Sequence, residues 1–327
     1  VFKGHNYDTS RLEIAKIYAK ELNEHLKENK FDIIFSPGTI PIALLETKIP
    51  IVFWTDANFH GMINYYFMHL SKETIEIGDM VEKSALDRAS LAIYSSDWAA
   101  KGAIDFYSTD ANKVKVIPFG ANVESIRKDE EINYKLNNEI RLLFIGKDWK
   151  RKGGKIAIDT TSELNRRNVK VKLTIIGSNH NEKKSCTNLE IIPFINKSIK
   201  EDRLQLRDIF MNSDFFILPS RQDCTPIVLC EAAAFGLPIL STETGGIGSL
   251  VKNGINGYLF NIKDGGDEYA NKIIEIKNNN KYNNSRLDIE ASNHVKKAAF
   301  TNYFPKISSG LLAFRAKDNL FEMSVGG

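Results

Sequence analysis

Short apolar runs, each closed by Gly, Pro, Ser or Asn, recur along this chain with longer mixed segments between them. FDIIF (31–35), IPIVFW (49–54), LAIY (91–94) and VKVIP (114–118) come first. RLLFIG (141–146), VKLTIIG (171–177), LEIIPF (189–194), FFIL (215–218) and LPIL (237–240) follow. Their continuity, as opposed to strict alternation, predicts strands buried on both faces, as in a parallel sheet. The intervening segments show helical spacing. Leu12, Ala15, Ala19, Leu22 and Leu26 form one stripe along 9–29. Helices are also expected over 62–70, 72–89, 97–107, 154–168, 199–211 and 267–277, with a short apolar one around Ile42 to Leu45. Strands alternating with helices imply parallel sheets joined by right-handed crossovers.

A polar stretch interrupts this rhythm. Residues 123–138 carry the cluster Arg127-Lys128-Asp129-Glu130-Glu131, a composition shift that marks a domain boundary. The expected organisation is a first domain over 1–122, a linker over 123–138 and a second domain over 139–285. Residues 286–327 are expected to form C-terminal helices and a tail, with a helix at 286–304 and loose order from Lys317.

Composition narrows the class of protein. The 327 residues are 43% hydrophobic and 26% charged, ordinary for a globular chain of two domains. The net charge is only +3 and the lysines and acids are interspersed, so no nucleic-acid surface is indicated. No apolar run is long enough to span a bilayer. Cys186, Cys224 and Cys230 show no metal-type spacing, and their odd count suggests reduced thiols in a cytoplasmic protein. The six histidines lack paired spacing, so no metal site is expected.

The most informative stretch is 214–260. An apolar strand ends in Pro219-Ser220, and a polar loop then carries Asp223. Pro226 opens an apolar helix that ends at Gly236. Glu231 lies inside that helix, among Ile227 to Cys230 and Ala232 to Ala234, where an unpartnered carboxylate is costly to bury. One reading is a partly exposed glutamate; the other is an acceptor for a ligand's hydroxyls. A glycine-rich turn follows at Thr244-Gly245-Gly246. Earlier, the loop KDWKRKGG (147–154) sets cations and paired glycines before a helix, a layout suited to phosphate but not a Walker A motif.

An acidic residue eight positions before Glu231, then AxAFGLPI, TxxGG and NGxNGYLF, resembles the donor-binding core of retaining glycosyltransferases of family 4. The resemblance covers roughly 31–262 and is densest over 141–262. It implies the GT-B fold, α/β with two Rossmann-like parallel-sheet domains facing a cleft. By position, Glu231 takes the ribose role, and Asp223 contacts the transferred sugar. Lys147 and Lys152-Gly153 match the family's diphosphate-binding cations, with Thr244, Gly245 and Gly246 also on the donor side. Asp56, in WTDANF, stands where many members place a histidine, and is the second catalytic candidate beside Asp223. A strand-end Asp is also a common turn former.

The resemblance implies transfer of a sugar from a nucleotide-diphosphate sugar to a glycan or lipid-linked hydroxyl acceptor, with no cofactor and no metal. It places the protein in surface polysaccharide or glycan synthesis, in the cytoplasm, with peripheral contact at the inner face of the membrane. Departures are Asp223 for the usual Glu, Ser249 for another Glu, and Asp56 for His. No glycine-rich first strand precedes Val1, so the first domain is expected to be incomplete, with an unpaired sheet edge and weak transfer. A non-catalytic sugar-nucleotide-binding subunit and a GT-B epimerase are the alternative readings.

Overall fold

A computed structural model describes residues 10–28, 30–123, 136, 138–178, 188–278, 312–317 and 320–325. The linker cluster at 127–131, Cys186 and the helix expected at 286–304 lie outside the described residues. The chain opens with α1 (Ser10–Glu28), β1 (Ile33–Ser36), β2 (Ile51–Thr55) and α2 (Phe59–Met62). Next come α3 (Lys72–Arg88), β3 (Leu91–Tyr94), α4 (Asp97–Tyr107) and β4 (Val114–Val116). The second run is β5 (Ile140–Ile145), α5 (Gly154–Arg166), β6 (Val171–Ile176), β7 (Leu189–Ile192) and α6 (Lys200–Met211). It continues with β8 (Phe215–Leu218), α7 (Ile227–Ala234), β9 (Ile239–Thr242), α8 (Ile247–Leu250), β10 (Gly257–Phe260) and α9 (Gly266–Asn278). The last two elements are β11 (Leu312–Lys317) and β12 (Leu320–Val325).

These elements form two units, one from Val1–Pro118 with Phe304–Gly327 and the other from Phe119–Tyr303. In the first, the strand order is β12-β11-β1-β2-β3-β4. Strands β1 to β4 are parallel neighbours in sequence order, and β11 and β12 extend the sheet antiparallel. In the second, the order β10-β9-β8-β5-β6-β7 is parallel throughout. Its apolar runs behave as expected of a sheet covered on both faces: every residue of β8 is buried.

Three expectations need correction. The helix over 62–70 shrinks to the four residues of α2. Tyr65, Tyr66 and Phe67 fold their N–H groups back onto the single carbonyl of Met62, and Asn64 and His69 take left-handed backbone at φ 56° and 58°. No regular helix accommodates that. The strand expected from Leu237 begins two residues later, because the Gly236 and Leu237 N–H groups close α7 on Ala233 and Ala232. Finally, the tail from Lys317 is not loose: β12 pairs with β11, and β11 pairs with β1, with Ile33, Ile34 and Phe35 opposite Phe314, Ala313 and Leu312. The edge expected to stand unpaired is therefore covered.

Among the described residues of the first unit, the core holds one acid. Glu82, on α3, is 3% exposed and accepts a hydrogen bond from Thr39 Oγ1 at 2.7 Å. Burial raises its carboxyl to about 7, against the lowering effects of Thr39, Arg11 and the Phe59 backbone. A native pKa raised above the unfolded value of 4.5 favours folding fully at low pH, and this contribution is lost as pH climbs from 4.5 to 7. The loss amounts to up to about 3 kcal/mol. Glu82→Gln keeps the acceptor for Thr39 and should abolish this part of the decline. Native-state hydrogen exchange of the β1–β3 amides at pH 5 and pH 8 measures it; equal pH dependence in both proteins would refute the assignment.

Candidate functional site

Strand order decides where a site can form in the second unit. From β5 the chain moves to β6 on one side, whereas from β8 it moves to β9 on the other. Yet β5 and β8 are paired neighbours. The loops leaving their carboxyl ends diverge, and in open parallel sheets the crevice at such a reversal is where ligands bind. The two loops here are 146–153 and 219–226, the most distinctive segments of the sequence.

Glycines let these loops approach closely. Gly153 has φ 73°, and a Cβ there would lie 2.0 Å from the carbonyl oxygen of Pro219. A Cβ on Gly154 would sit 2.1 Å from the buried Trp149 ring. The Arg221 N–H donates to the Arg151 carbonyl at 2.7 Å, tying the loops directly. The paired glycines thus serve loop packing, and that packing carries Lys152 to the crevice.

There Lys152 Nζ forms an ion pair with Asp223 Oδ2. Ser220 Oγ donates to the same oxygen at 3.1 Å, and Arg151 Nη1 stands 3.9 Å from it. Arg151 is itself braced by Asp148 and by the Gln222 carbonyl. Asp223 is only 6% exposed, so the surrounding donors offset a substantial desolvation cost. The turn at 244–246 belongs to the same assembly. The Gly246 N–H donates to the Asp223 carbonyl at 3.3 Å, Thr244 Oγ1 reaches the Arg221 carbonyl at 3.5 Å, and Gly245 has φ 52°.

Glu231 lies in α7, the helix that continues the Asp223 loop. It is 3% exposed, and its Oε1 pairs with Lys197 Nζ at 2.5 Å. Burial pushes its carboxyl up, while the Lys197 charge and hydrogen bond and the Asn122 backbone pull it down. The adjacent Cys230 thiol is pushed up to about 12, first by burial and then by the Glu231 charge. Lys147, directly after the strand-end Gly146, is exposed; its ammonium lies 5.5 Å from the centre of the Phe194 ring, which follows β7. It makes no ion pair among the described residues.

Of the residues singled out from sequence, Lys152, Gly153, Asp223, Thr244, Gly245 and Gly246 converge on one crevice. Lys147 shares its loop, and Glu231 its adjoining helix. Asp56 belongs to the other unit, one residue beyond β2. Sequence reasoning passes over Lys197 and Ser220. Lys197 sits in INKSIK, where Asn196 and Ser198 signal only a turn; Ser220 carries no signal beyond its place at a strand end. Among the described residues, no group of three or more His, Cys, Asp or Glu side chains could hold a metal ion. No described helix is long and apolar enough to cross a membrane.

Two α/β units on parallel sheets, with a built crevice at the strand reversal of the second, place the chain in the architectural class of solved GT-B glycosyltransferases. Sucrose-phosphate synthase from Thermosynechococcus elongatus aligns at TM-score 0.64 and 16% identity, covering 90% of this chain and 77% of that one. HepE of Anabaena, in complex with UDP and glucose, aligns at 0.61 and 18% identity, covering 89% and 79%. The family model described as glycosyl transferases group 1 matches residues 125–294, just over half of the chain, and the chain belongs to that family. An uncharacterized 41.2 kDa protein in the cps region of Klebsiella pneumoniae is 24% identical over 268 residues, 77% of this chain and 70% of that protein. D-inositol 3-phosphate glycosyltransferase of Corynebacterium jeikeium is 24% identical over 204 residues, 57% of this chain. Here the match spans 49% of the relative's length, and other curated relatives are likewise matched over about half of theirs.

Gly153→Ala tests the loop packing. Left-handed backbone alone costs a side chain about 1–2 kcal/mol, and the contact with Pro219 adds to it. Urea denaturation should show the second unit destabilised by at least about 2 kcal/mol. A loss below ~0.5 kcal/mol would mean the two loops are not tied as described.

Proposed function

We propose that this chain is a retaining glycosyltransferase that moves a sugar from a nucleotide-diphosphate sugar to a hydroxyl acceptor, in surface polysaccharide or glycan synthesis. The observation that carries this reading is the joining of Lys152 and Asp223 at the strand reversal, with buried Glu231 on the adjoining helix. Lys147 and Lys152 take the diphosphate, Glu231 the ribose hydroxyls, and Asp223 with the 244–246 turn the transferred sugar. HepE's complex with UDP and glucose and the cps-region relative agree with such a donor and such a setting.

Retention without a covalent intermediate suits the electrostatics. An Asp223 carboxylate shared by a lysine and a serine hydroxyl is a weak nucleophile, because its lone pairs are already engaged. The acceptor oxygen bonds to the anomeric carbon on the face the diphosphate leaves, and the electron pair of the broken C–O bond departs with the nucleoside diphosphate. Its phosphate oxygen takes the acceptor's proton. Fixed cations stabilise the charge growing on that leaving group. Asp56 contributes on the first unit, and a lipid-linked acceptor brings contact with the inner face of a membrane.

Two substitutions test the donor assignments by calorimetry. Glu231→Gln removes a charged acceptor worth ~1.5–3 kcal/mol, so nucleotide binding should weaken about tenfold or more. Lys152→Ala should weaken a nucleoside diphosphate far more than the free nucleoside, with the gap narrowing as salt rises. Unchanged nucleotide affinity in the first, or equal loss of both ligands in the second, would sink the corresponding role.

A further inference from the structure

The second unit commits several hydrogen bonds to placing one lysine. The loop after β7 is held by the Asn196 N–H donating to Asp202 at 2.7 Å and the Ser198 N–H to Asn196 Oδ1 at 3.0 Å. The Ile199 N–H closes the turn on the Asn196 carbonyl, and Arg203 Nη1 donates to the carbonyl of Lys197 itself at 3.0 Å. A lysine with no task beyond solvation does not need a backbone fixed on both sides. Its side chain is 39% exposed, but its ammonium ends on Glu231 Oε1, whose side chain is 3% exposed. Lys197 therefore bridges solvent and a buried carboxylate on the helix that follows a different strand.

Resting on the proposed donor site, we infer that Lys197 is a positioning residue: it holds the Glu231 carboxylate charged and aimed for the ribose hydroxyls. It thereby fixes how nucleotide affinity varies with pH. The groups around Glu231 support this. Burial opposes its ionisation, Lys197 favours it, and the Asn122 backbone adds a smaller favourable contribution. Cys230, next to it on α7, stays a neutral thiol through the accessible range because burial pushes it up to about 12. Among the described residues, Lys197 is the cation paired with this carboxylate. Without it, burial is less opposed, the acid keeps its proton to higher pH, and a neutral carboxyl accepts hydroxyl hydrogen bonds more weakly. The sign follows: a variant lacking the cation regains affinity as pH rises and Glu231 ionises.

The experiment uses the full chain and UDP, ADP and GDP as probes, the tightest being carried forward with its nucleoside and its 2′-deoxy form. Wild-type affinity should be flat from pH 6.5 to 8.5, with the 2′-deoxy form weaker by a constant factor. Lys197→Met should bind roughly tenfold more weakly at pH 6.5, recover much of that loss by pH 8.5, and discriminate little against the 2′-deoxy form at the lower pH. Lys197→Arg should restore the flat profile. Lys197→Gln repeats the measurement if the Met variant does not fold. A pH-independent loss larger for the diphosphate than for the nucleoside would overturn the inference by making Lys197 a phosphate ligand, and an unaltered profile would overturn it outright. Failure of the wild-type chain to bind any of the three diphosphates would remove the donor site itself.

Discussion

The ion pair between Lys152 and Asp223 spans the strand reversal of the second sheet, and the rest of that end of the unit is arranged around it. The two residues come from loops that diverge from neighbouring strands, so nothing local keeps them together. Gly153 against Pro219, Arg221 against Arg151 and the 244–246 turn against Asp223 supply the missing constraint. The pair itself is poorly exposed, at 14% and 8% of its two side chains. Buried pairs seldom stabilise a fold more than well-packed apolar residues would, since desolvation cancels much of the attraction. For the donor role proposed above, its value lies elsewhere: a cation set in place before an anionic ligand arrives needs little reorganisation on binding.

Three carboxylates among the described residues are buried, and each is stabilised differently. Asp223 has a lysine, a nearby arginine and a serine hydroxyl. Glu231 has a single lysine and a backbone group. Glu82, in the first unit, has a threonine hydroxyl as its hydrogen-bond partner, and its carboxyl sits at about 7. The surroundings differ accordingly: the first is held by several donors, the second depends on one counter-ion, and the third is neutral over part of the physiological range.

That graded series also explains what is legible in the sequence. Continuous apolar runs announce the strands of both parallel sheets, because burial on both faces leaves a local signature. Asp223, Glu231 and the Lys152-Gly153 loop are legible because their spacing resembles a family pattern. The partners are not. Lys152 is 71 positions from Asp223, Lys197 is 34 from Glu231 and Thr39 is 43 from Glu82. Only strand order brings them together, and strand order leaves no mark on spacing. The misread segments fail for a related reason: 62–70 has helical composition, but Asn64 and His69 take left-handed turns. The strand β11 gains its identity only by pairing with β1, nearly three hundred positions away.

That last pairing has a kinetic consequence. The first sheet includes β1 at residues 33–36, yet its β1 edge is closed by residues 312–317, which leave a ribosome after the whole of the second sheet. The second sheet draws on one continuous stretch and needs nothing beyond it. Vectorial synthesis would let the later-made unit complete its hydrogen bonding first, while the earlier-made one waits with an open strand edge. Such an edge invites pairing with other nascent chains. Until the hairpin of β11 and β12 is made, β1 therefore keeps an open edge that the finished sheet does not have.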